Sequence, residues 1–138
     1  MSNHDPVREL LRERGSAAHV IEGGLPSLLA DWENLVSVVE AGYALGLDDY
    51  LNDLDVRQLL ADALAVATLK ESAAYDDRLQ RADEQMQALL APVEVCLWGD
   101  EVAEEEGWTA RNNWWYFSRP RHGDPEFLAE LAEATGGD

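Results

Sequence analysis

Residues 26–43 read PSLLADWENLVSVVEAGY. Leu28, Leu29, Trp32, Leu35, Val36, Val39 and Tyr43 recur at steps of three and four, the spacing of one helix face. That apolar face is broad, so the segment is expected to be a central core helix, with Gly42 ending it. A helix of this kind needs further helices to cover it, and the flanking sequence supplies them.

Downstream, Leu47, Tyr50, Leu51 and Leu54 share one face, while Val56, Leu59, Leu60, Ala63 and Leu64 share another. The phase slips near Asp53–Asp55, where either aspartate is placed to cap a new helix. The pattern predicts a short helix near 48–52 and a longer one from about 55 to 69. No Gly or Pro falls between Gly46 and Pro92, so one helix over 55–91 is conceivable, but Lys70, Glu71 and Ser72 interrupt the apolar face and predict a break. Beyond it Tyr75, Leu79, Ala82, Met86 and Leu89 form a coiled-coil-like seam. Packing inside the domain and homodimerisation both account for a seam this short.

Both ends carry the same device. Asp5-Pro6 and Asp124-Pro125 pair an N-cap with a proline suited to the first helical position, and Gly15 and Gly136 are placed to stop the two helices. The C-terminal stripe is read as Leu128, Leu131 and Ala132. Ala18–Ile21 reads as a short strand before Gly23-Gly24. Residues 93–98 alternate apolar and polar, Asp100–Glu106 reads as one or two helical turns closed by Gly107, and the aromatic run at 113–119 suits a strand. Pairing 93–98 with 113–119 gives an antiparallel ribbon, with 18–21 as a possible third strand. In that strand Trp114 and Tyr116 would share one face, and Trp115, Phe117 and Arg119 the other. The expected fold is mainly α (α+β): one acidic globular domain over 1–138, with about five helices and a small antiparallel β-ribbon near the C-terminus.

Charge restricts function more than motif does. Against 28 acids stand 10 bases, a formal net charge of −18. Nucleic-acid binding relies on Lys and Arg to neutralise phosphates, and anionic membranes attract basic segments, so neither partner is expected. The distribution is uneven: residues 31–106 hold 19 acids and 4 bases, whereas 107–123 hold Arg111, Arg119 and Arg121 and no acid. Trp114, Trp115, Tyr116 and Phe117 stand in that basic island. Such a run is expected mainly as core with arginine at its rim; a protein-binding patch and an aromatic cage for a small cation are its functional readings.

The remaining motifs exclude more than they assign. A calcium loop begun at Asp48 would need Gly at its sixth position and Glu at its twelfth, where Asp53 and Leu59 stand. His4, His19 and His122 lack metal-ligand spacing, and Cys96 is the only cysteine. No phosphate loop, nucleophile elbow or zinc-protease motif is present. No metal or cofactor is therefore expected. With one cysteine, no apolar run of membrane-spanning length and no secretory pattern at the start, the expected location is the cytoplasm.

The expected function is a non-catalytic, cytosolic protein-binding domain of inhibitor, immunity or chaperone type that holds a basic partner on its acidic surface. Candidate partner-binding residues are Asp48, Asp49, Glu101, Glu104, Glu105 and Glu106, with Trp108, Trp114 and Arg119 from the aromatic island. One alternative is a small-molecule-binding or enzymatic domain with a pocket beside the ribbon, lined by Trp98, Trp108, Trp114 and Arg119. Another is a structural homodimer through Tyr75, Leu79, Ala82, Met86 and Leu89.

Overall fold

A computed structural model describes residues 5–136; His4 lies outside them. The elements among the described residues are α1 (Pro6–Glu13), α2 (Ala18–Ala41), α3 (Leu47–Val66), α4 (Leu69–Leu89), β1 (Leu90–Pro92), α5 (Asp100–Glu106), a 3₁₀ turn (Trp114–Tyr116), β2 (Ser118–Pro120) and α6 (Pro125–Ala134). The fold is mainly α with a small antiparallel ribbon near the C-terminus, as the sequence predicts, with six α-helices rather than five. Among these residues no helix is long and apolar enough to cross a membrane.

The helix expected over 26–43 is the centre of the structure. Leu28, Leu29, Trp32, Leu35, Val36 and Val39 of α2 are all buried. The helix begins earlier than expected, however. Ala18–Ile21 is its first turn and not a strand. The path kinks at Gly24, whose φ of 58° and ψ of −149° belong to a region open essentially to glycine. Pro26 then falls in the first turn after the kink, where a missing N–H costs nothing. The kink frees carbonyls of the preceding turn, and Arg8 of α1 takes them: its Nε donates to Ile21 O at 3.1 Å and its Nη2 to Glu22 O at 2.9 Å.

The phase slip at Asp53–Asp55 does not break α3, which runs unbroken from Leu47 to Val66. These aspartates cap nothing. Asp53 accepts from the Tyr43 hydroxyl at 2.6 Å, and Asp55 from Tyr116 and Trp98. The break before α4 is real but lies at Ala67–Thr68, both extended, slightly ahead of Lys70. The Thr68 hydroxyl accepts from Glu71 N at 3.1 Å and caps α4. The seam on α4 is used inside the chain: Ala82 and Met86 are buried, and Tyr75, Leu79 and Leu89 pack half-buried against the same core.

The ribbon forms beside its expected place. β1 pairs with β2 in the register Leu90↔Pro120, Ala91↔Arg119, Pro92↔Ser118. Residues 93–98 continue only as a loop held by Val93 N to Phe117 O and Leu97 N to Tyr116 O, both 2.8 Å. Trp114–Tyr116 is a 3₁₀ turn, so strand alternation fails: the neighbours Trp115 and Tyr116 are both buried, while Trp114 and Phe117 are half-buried. Asp5 and Asp124 cap α1 and α6 as expected. The face of α6 is led by Phe127, which the predicted stripe omits; its ring packs on Tyr43 and Tyr50 at centroid distances of 4.8 and 5.3 Å. Gly123 permits that docking, because a Cβ there would stand 3.2 Å from both Phe127 Cδ2 and Tyr43 O.

At the centre lies an ion pair. Arg57 Nε and Nη2 donate to Asp83 Oδ1 and Oδ2 at 3.0 and 2.9 Å, and Trp32 Nε1 donates to Asp83 Oδ1 at 3.0 Å. The guanidinium carbon sits 4.3 Å from the Trp115 ring centroid and 5.8 Å from that of Trp32. Only 8% of the Arg57 side chain is exposed, so α2, α3, α4 and the 3₁₀ turn meet on a desolvated charge.

Candidate functional site

Four positions on α3, three of them polar or charged, begin the site. Asp55, Gln58, Leu59 and Asp62 step by three, one and three, which aligns them along one helix face. That face forms one side of a cleft of about 630 Å³. Arg14 and Ser16 contribute from the end of α1, Val102 and Glu106 from α5, and Trp98, Trp108 and Tyr116 supply aromatic walls. No histidine or cysteine lines it.

Two hydrogen-bond chains fix its shape. In the first, Asn113 Nδ2 donates to Gln58 Oε1 at 2.8 Å, Gln58 Nε2 donates to Asp62 Oδ1 at 3.0 Å, and Arg14 Nη1 donates to Asp62 Oδ2 at 2.9 Å. Asn113 also accepts from Thr109 N, which ties the loop carrying Trp108 to α3. In the second, Tyr116 Oη and Trp98 Nε1 both donate to Asp55 Oδ1, at 2.5 and 3.1 Å. Burial, reinforced by the bond to Asp55, holds the Tyr116 hydroxyl far above its ordinary pKa, so it remains a neutral donor. Trp108 stacks on Tyr116 with centroids 4.2 Å apart and planes 24° from parallel. Three carboxylates (Asp55, Asp62 and Glu106) and one guanidinium thus line the cleft in an aromatic setting, with the guanidinium paired to Asp62.

The structure divides the residues expected to act together. Trp98 and Trp108 line the cleft as the pocket reading anticipates, but Trp114 and Arg119 do not. Trp114 lies instead against a separate groove with Pro92, Val93, Phe117 and Arg121, and its ring meets Trp32 edge-on at 6.2 Å. Arg119 Nη1 donates to Thr135 Oγ1, and Arg121 Nε to Leu90 O, so both secure the C-terminal region. Of the acids, Glu106 borders the cleft, while Glu101, Glu104 and Glu105 are exposed on the same helix. Asp48 and Asp49 stand in the first turn of α3 outside the cleft, where Asp49 Oδ2 accepts from Gly46 N.

Sequence reading missed Arg14, Asp55, Gln58 and Asp62 as cleft residues. The last three carried a signal, polar positions three and four apart opposite the buried stripe of α3, but it is the signal of any solvated helix face. Cys96 is buried, and burial raises its thiol pKa, which disfavours the thiolate that nucleophilic chemistry needs. No protein-family model matches the chain, and comparison with curated proteins and solved structures returns no significant match.

Proposed function

We propose that the protein is a non-catalytic binding domain that holds a basic protein through an acidic surface formed by α5 and the adjoining cleft. One observation carries this reading: Glu101, Glu104, Glu105 and Glu106 are all exposed, and among the described residues no cation pairs with them. Charges left unpaired on one short helix project a field that attracts a basic surface and speeds its encounter. The attraction decays over about 8 Å at physiological ionic strength, so binding should be strongly salt-dependent.

The test is capture from a lysate of the source organism, with elution by rising salt and identification by mass spectrometry. The expected result is one dominant basic protein released at moderate salt. Replacing Glu101, Glu104, Glu105 and Glu106 by Gln should then slow association about tenfold or more at low ionic strength. Equal association rates for the variant and the parent would remove α5 from the interface. A second reading, a small-molecule site, is favoured by the aromatic lining of the cleft. Screening ligands by tryptophan fluorescence tests it.

A further inference from the structure

We propose that the cleft between α3 and α5 seats an arginine side chain of the basic partner, an assignment that rests on the protein-binding reading above. The chemistry of the walls selects the ligand. Aromatic faces attract cations, and a guanidinium additionally stacks on them as a plane. One face of Trp108 is taken by Tyr116, and the ring still borders the cleft. Asp55 receives both of its donors at Oδ1, which fixes the carboxylate and leaves Oδ2 without a donor among the described residues. Glu106 is exposed on the opposite wall.

A quaternary ammonium would satisfy the rings but has no N–H for these carboxylates. A lysine ammonium would satisfy a carboxylate as a strongly hydrated point charge, without stacking. A guanidinium does both, and the chain itself provides an instance in its core: Arg57 pairs with Asp83 while its guanidinium carbon lies 4.3 Å from the Trp115 ring centroid. The cleft opens to solvent beside Arg14 and Glu106, so a ligand can be held by its tip with its main chain outside, as a side chain on a protein surface is.

The experiment is an NMR titration of the whole protein, reading the indole N–H signals of Trp98 and Trp108. The probes are the blocked tripeptide Gly-Arg-Gly, the same peptide with citrulline, and tetramethylammonium. The arginine peptide should shift both indoles saturably, and the citrulline peptide, isosteric but uncharged, should bind at least about tenfold more weakly. Glu106→Gln should weaken the arginine peptide about two- to fivefold, more than Glu101→Gln does. Both glutamates are exposed, so neither variant threatens folding. Equal binding of arginine and citrulline, equal or stronger shifts from tetramethylammonium, or equal losses in the two variants would each overturn the assignment. Absence of a peptide response while the basic partner is still captured would sink the cleft and leave the protein-binding reading standing. Loss of both would sink both.

Discussion

Replacing Asp83 with leucine is expected to be among the most damaging single changes in this chain. The carboxylate takes two donors from Arg57 and one from Trp32, so its loss strands a guanidinium whose side chain is only 8% exposed. Removing one partner of a buried ion pair typically costs about 3–5 kcal/mol, because the survivor keeps its desolvation penalty. Asp83 itself is 19% exposed, so some water reaches the pair and the lower end, about 3 kcal/mol, is expected. That is a large share of the roughly 5–15 kcal/mol that holds a domain together. Arg57→Met should cost less, since the remaining carboxylate is more exposed and keeps the Trp32 indole donor. The double variant Arg57→Met, Asp83→Leu should be more stable than the two single costs combined imply, by about 2 kcal/mol or more. Equilibrium urea unfolding, followed by tryptophan fluorescence and far-UV circular dichroism, reads all four proteins. With a slope of about 1–3 kcal/mol per molar, Asp83→Leu should lower the midpoint by at least about 1 M. A fall below about 0.3 M, or single costs that simply add, would refute the account of a desolvated and mutually dependent pair.

Gly24→Ala should cost about 1–3 kcal/mol in the same assay, because its backbone region is closed to residues with a Cβ; an unchanged midpoint would mean that the kink relaxes. Thr68→Ala should cost about 1 kcal/mol by uncapping α4, read from the thermal midpoint. Burial first, helped at Tyr43 and Tyr116 by aspartate acceptors, raises the pKa of Tyr43, Tyr50 and Tyr116 above the ordinary 10.0. The folded state therefore favours the neutral phenols, and stability should be complete below pH 10.0 and fall as pH rises past it. An ultraviolet titration should show these three ionising together with unfolding; smooth ionisation of all four tyrosines with the fold intact would contradict it. Glu33 moves the other way, its pKa lowered chiefly by the hydrogen bond from Arg78. The pair's contribution should be present above pH 4.5 and lost as pH falls through the lower folded value, and Glu33→Gln should remove that part of the acid dependence.

Helix identity and helix ends were legible because their causes are local. The Asp-Pro starts, the glycine stops and the periodic face of α2 each express themselves within a few residues. The break before α4 also had a local signature, since Thr68 followed by Glu71 is an N-cap pattern. The errors arose where distant residues decide. Asp53 and Asp55 look like caps in sequence, but Tyr43, Trp98 and Tyr116 reach them from other segments and make them mid-helix acceptors. Ala18–Ile21 has strand-like composition, yet it forms a helical turn whose exit toward the Gly24 kink is held by Arg8, which donates to Ile21 O and Glu22 O. The aromatic run was read with period two, and the 3₁₀ turn broke that period by placing Trp115 on Arg57 and Tyr116 on Asp55. Part of the cleft was legible, Trp98 and Trp108 as pocket walls and Glu106 as a partner-binding acid; its α3 side was not, because its polar residues are what any exposed helix face shows.

The net charge of −18 overstates the surface available to a partner, and the correction sharpens the functional reading. Glu33, Asp53, Asp62 and Asp83 lie within the acidic stretch 31–106, yet each already holds a donor from elsewhere in the chain. Their charge is spent on tertiary contacts that join the end of α1 to α3, the loop after α2 to α3, α2 to α4 and α3 to α4. The acids of α5 make no comparable contact beyond Asp100, which accepts from Cys96 N. Asp31, Glu40, Asp48, Asp76, Asp77 and Glu94 are also exposed, but they are scattered over other elements, whereas Glu101, Glu104, Glu105 and Glu106 fall within six residues of the helix that borders the cleft. A uniformly acidic sphere would attract basic proteins without orienting them. An acidic helix beside an aromatic recess can do both, with the long-range field drawing the partner in and the recess testing whether a planar cation fits.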